Sequence, residues 1–120
     1  MYDTKVEIEE YFNTNWVSTP VQYQGIDFVS PKKWVSVVFI PIERSSNTCG
    51  RVFENSQLKV LVYDVSPTLA IKLMDEINTF LDCLQLNTCT IGTGIADGMG
   101  IIPLDNGTFE IVSLFEVDKN

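Results

Sequence analysis

The sequence contains no histidine. That absence removes Ser–His and Cys–His nucleophile pairs and every imidazole metal ligand. Cysteine is sparse: Cys49, Cys83 and Cys89 form no Cys-x-x-Cys and match no zinc spacing, so reduced structural thiols are expected. Cys83 falls on the apolar side of a predicted helix, where a free thiol acts as a small hydrophobe. Basic residues are few, 8 against 16 acids, for a net charge of −8. Such a surface repels phosphate on average, which excludes direct sequence-reading of DNA. No apolar run approaches the roughly 18 to 20 residues of a membrane span. Met1 to Glu10 is acidic and lacks the basic start and apolar stretch of a signal peptide, so neither export nor a membrane is expected.

What is present reads as one domain over residues 1–120, with no repeat, linker or low-complexity tract to divide it. A first helix is expected from about Lys5 to Asn15, with Thr4 and Glu7 at capping-box spacing and Ile8, Tyr11, Phe12 and Trp16 on one stripe. Thr19-Pro20 ends that pattern. Short Val21–Tyr23 and long Trp34–Ile42 strands follow, the latter forming a hairpin with a strand over Arg51–Val65. Ser66 is a predicted N-cap and Pro67 a first helical residue. Ala70, Leu73, Met74, Ile77, Phe80, Leu81 and Leu84 then recur at three- and four-residue spacing, so a polar residue at Ile77 should unfold much of the population. Beyond it, Leu86–Ile91 reads as a strand and Gly92–Gly100 as a mobile connector. Asp105-Asn106-Gly107 reads as a type I′ turn into a final strand over Thr108–Val117. The order helix, strands, helix, strands predicts an α+β fold: a mostly antiparallel β-sheet with two principal α-helices.

Tests for chemistry come out empty. Gly92-Thr93-Gly94-Ile95-Ala96-Asp97 starts like a dinucleotide fingerprint, but Asp97 stands where the third glycine is required, and no Walker lysine follows. The paired acids Glu9-Glu10 and Asp75-Glu76 fall on predicted exposed helical surface, whereas carboxylate catalysis needs a partly dry cleft. The sequence therefore gives no catalytic, cofactor-binding or metal-binding residue, and the expectation is a protein that is not an enzyme.

The strand from Trp34 is more informative. Val35, Val37 and Phe39 occupy one face, while Trp34, Val38, Ile40 and Ile42 dominate the other, and a sheet facing water on one side normally alternates apolar with polar. Either each helix of the chain covers one face, or both helices share a face and a neighbouring subunit covers the other. On the second account Trp34, Val38, Ile40 and Phe53 are candidate subunit-interface residues. The scarce cations Lys32, Lys33, Arg44 and Arg51 join them as candidates for pairing with carboxylates across subunits.

The layout also resembles a known family. An N-terminal helix precedes Trp16-Val17-Ser18-Thr19-Pro20-Val21-Gln22-Tyr23, then Pro31-Lys32-Lys33-Trp34-Val35-Ser36-Val37-Val38-Phe39-Ile40, a long hairpin, and an amphipathic helix headed by Ser66-Pro67-Thr68. Over nearly the whole chain this order is similar to the tail terminator (minor tail or tail completion) proteins of long-tailed bacteriophages. The resemblance implies a homo-oligomeric ring, a hexamer, seated on the last ring of tail-tube protein at the head-proximal end of the virion tail, after assembly in the host cytoplasm. It implies the tube protein and a head-side connector as partners, DNA only as passing cargo, and no cofactor. A head–tail stopper, or a binding module unrelated to phage, are the alternatives.

Overall fold

The computed structural model describes residues 2–23, 33–40, 43–45 and 52–119. Its elements are helix α1 (Tyr2–Asn15), strands β1 (Val21–Tyr23), β2 (Trp34–Ile40), β3 (Glu43–Ser45) and β4 (Val52–Asp64), helix α2 (Pro67–Leu81), and strands β5 (Cys89–Ile91), β6 (Ile95–Pro103) and β7 (Phe109–Lys119). The fold is α+β, as the element order predicts. The sheet runs β1-β2-β4-β7-β5, with β3 paired to β4 and β6 to β7. It is mixed, because β1 lies parallel to β2 while every other pair is antiparallel.

Strand β4 organises the rest. Its 13 residues, at about 3.3 Å each, cover roughly 43 Å, most of the molecule's 51 Å long axis. Along that length it pairs with β2 and β3 on one side and β7 on the other. Three rows cross the sheet on one face: Val35–Val62–Ile111, Val37–Val60–Ser113 and Phe39–Leu58–Phe115. The apolar members of these rows share one buried core with Ile8 and Phe12 of α1 and with Ala70, Leu73, Met74, Ile77 and Leu81 of α2. Both helices therefore cover the same face.

α2 starts where the sequence places it. Ser66 is extended, and its hydroxyl accepts from the Leu69 N–H at 3.2 Å, with Pro67 opening the helix. α1 differs from expectation. It begins at Tyr2, so Thr4 lies inside the helix and is buried rather than capping it. Glu7 turns away from its own N-terminus and accepts from the Thr88 N–H and hydroxyl, both at 2.9 Å. The stripe itself holds: Tyr11, Phe12 and Trp16 meet the Phe80 ring at centroid distances of 5.0, 5.1 and 5.1 Å.

Three further corrections concern the second half. Cys83 is exposed, because α2 ends at Leu81 and Cys83 adopts a left-handed conformation, φ 51°, outside the helix; of the two described cysteines, Cys89 is the one buried in the core. Most of Gly92–Gly100 is strand, not connector: β6 pairs with β7, and Gly98 and Gly100 lie at a register shift between Ala96 and Ile101, with φ 67° at Gly100. The Asp105-Asn106-Gly107 turn has positive φ at Gly107 alone, and Leu104 and Thr108 close it. That is the type I turn with a glycine bulge, not type I′, which would need positive φ at Asn106 as well.

Candidate assembly interface

The sheet face turned away from both helices is built by the alternate residues of β2, β4 and β7. Its rows are Trp34–Tyr63–Glu110, Ser36–Leu61–Val112, Val38–Lys59–Leu114 and Ile40–Gln57–Glu116. Period-two alternation puts these side chains together once Val35, Val37 and Phe39 commit to the core. The Trp34 and Tyr63 rings stack at 4.1 Å with 12° between planes. Trp34, Tyr63 and Val112 are buried, and Val38, Ile40, Leu61 and Leu114 are half-buried. None of the three buried hydrophobics belongs to the helix-side core.

The face is apolar along its centre, with Glu110 and Glu116 toward the rim of β7 and Lys59 between Val38 and Leu114. This composition offers contact area and a few charges. No group of three acids and cysteines among the described residues could hold a metal ion. No described helix is long and apolar enough to cross a membrane.

The candidates chosen from sequence divide into two groups. Trp34, Val38 and Ile40 come together on this face, and Lys33 is exposed at its edge, next to Trp34. Arg44 and Phe53 are register partners in the β3–β4 ribbon, beyond the end of the β2–β4 pairing. Lys32 and Arg51, with Ile42, lie outside the described residues. Sequence reasoning missed Leu61 and Tyr63. The signal was the unbroken apolar run around them in β4, with both parities occupied, as in β2.

No protein-family model matches the chain, and no curated protein matches it. Among the solved structures that match, one chain superposes with a TM-score of 0.67 at 13% identity, over 98% of this chain and 90% of that one. Identity this low carries the fold and nothing more. Fold and face together define an α+β sheet protein whose two described helices share one side of the sheet and, among the described residues, leave the other without a helix layer.

Proposed function

We propose that the chain is a tail terminator of a long-tailed bacteriophage, a ring-forming cap that ends growth of the tail tube and joins it to the head-side connector. The observation that carries this reading is the sheet face that no helix among the described residues covers, where Val38, Ile40, Leu61 and Leu114 remain half-buried. A second copy is the occupant that a homo-oligomeric ring requires. Two ring faces with different chemistry then stop polymerisation: one matches the tube end, and the other accepts no further tube subunit.

Size decides how much of the molecule this contact must use. Three strands at about 4.8 Å spacing and seven residues at about 3.3 Å make a patch of roughly 300 Å² in plan. A stable interface needs about 800 Å² from each partner. The three-strand patch is small for such a contact, so we propose that neighbouring surface, including the β3–β4 ribbon that carries Arg44 and Phe53, adds to it.

The deciding experiment is electron microscopy of tails assembled without the protein. Overlong tubes are the expected result. Tubes of normal length that fail to join heads would overturn termination in favour of a stopper, and normal complete virions would place the chain outside tail assembly.

A further inference from the structure

The helix side of the molecule carries an open groove of about 460 Å³ where the end of α1 meets α2, lined by Trp16, Val17, Glu76, Thr79 and Phe80 among others. Its walls are mostly apolar. Val17 stands 86% exposed beside it, the most exposed large hydrophobic among the described residues. The Trp16 indole Nε1 is buried with no acceptor among the described residues. A buried donor without a partner is destabilising.

Charge selects the occupant. Two smaller depressions flank the groove, one sharing Asn15 and lined by Glu7 and Glu10, the other sharing Thr79 and lined by Asp82. Every charged side chain among the described lining of all three is a carboxylate. α1, α2 and Asp82 carry seven acids against Lys5 and Lys72, and Lys5 is already paired with Glu9. The last turn of α2 has no basic residue, so the negative end of its dipole adds to the field of Asp82. Nucleic acid is repelled by such a surface.

We infer that this groove docks a cationic protein segment. One large apolar side chain of that segment sits over Trp16 and Phe80 beside Val17, and its lysine or arginine side chains reach Glu76, Glu10 and Asp82. This is a second surface, on the side of the sheet opposite the proposed subunit contact, and it stands whether or not the ring forms.

The test uses three tryptophan-free peptides, one of alternating lysine and leucine, one of lysine alone and one of alternating glutamate and leucine. Trp34→Phe leaves Trp16 as the single tryptophan, excited selectively over the tyrosines. The lysine–leucine peptide should shift Trp16 emission saturably, with affinity falling about tenfold or more from low salt to about 0.5 M salt. Val17→Asp and Glu76→Lys change exposed positions, so they keep the fold, and each should weaken binding by about fivefold or more. Equal binding of the glutamate–leucine or lysine-only peptide would overturn the inference. So would an absent shift, or a Val17→Asp protein that binds as tightly as its parent.

Discussion

Glu7 in α1 holds the turn before β5 from 81 residues away, its carboxylate accepting both the backbone N–H and the hydroxyl of Thr88 at 2.9 Å. Burial alone would raise the Glu7 pKa, but the hydrogen bonds from Thr88 and Asn87 together outweigh it and hold the carboxyl below its ordinary value near 4.5. One side chain thus pins the first helix to the strand that closes the far edge of the main sheet path.

A folded-state pKa below the unfolded value stabilises fully above the unfolded pKa, and that contribution disappears as pH falls through the folded value. Stability should therefore decline from about pH 4.5 downward. Glu7→Gln should flatten that decline and cost no more than about 1 kcal/mol at neutral pH, because solvent screens this partly exposed site. Urea unfolding at a series of pH values measures both effects. An unchanged pH profile in Glu7→Gln would remove Glu7 from this role.

Cys83 occupies the position after a helix where glycine is favoured, with φ 51° and an exposed side chain. A left-handed conformation costs a residue with a β-carbon about 1 kcal/mol. Cys83→Gly should raise stability by about 0.5–1 kcal/mol, visible as a higher thermal midpoint. In the native protein Cys83 should react rapidly with a thiol reagent while Cys89 stays protected, since burial in the core also pushes the Cys89 thiol pKa up.

Gly94 permits a close approach that no other residue could. A β-carbon there would sit 2.6 Å from the Phe115 ring and 2.7 Å from Asn78 Oδ1, and Phe115 is fully buried under the helices. Gly94→Ala should destabilise by about 1–3 kcal/mol, read from the denaturation midpoint. Gly100→Ala meets no atom within 4 Å, so its cost should be limited to the positive φ at that position.

Leu114 and Lys59 are cross-strand partners on the face proposed for the neighbouring subunit. Leu114→Glu places a carboxylate opposite a lysine, so the monomer should keep its circular dichroism and lose no more than about 1 kcal/mol. Self-association by sizing chromatography or light scattering should be lost. Arg44→Glu, in the ribbon, should act in the same direction. Association that survives both substitutions would move the subunit contact elsewhere.

Local signals proved readable where one physical rule acts alone. Ser66-Pro67 and the spacing from Ala70 to Leu81 locate α2 because capping and amphipathicity agree there. The apolar content on both faces of β2 is likewise a local fact, and it led to Trp34, Val38 and Ile40. What failed was what depends on distant partners. Thr4 and Glu7 have capping spacing, yet the stronger use of Glu7 is the Thr88 turn, and no local pattern announces a contact across the whole chain. The glycines of β6 imitate a loop because a bulge needs the same conformational freedom as a turn. Leu61 and Tyr63 joined the candidate face only after the β2–β4 register was known.

The row Val35–Val62–Ile111 draws one residue from each third of the polypeptide, with β4 in the middle. Nucleation must therefore close long loops before much apolar surface is rewarded, which makes folding slower than that of helical bundles. On the ribosome the central strand waits for its second neighbour until residues 109–119 have emerged, so the nascent chain passes through a stage with a long unpaired edge.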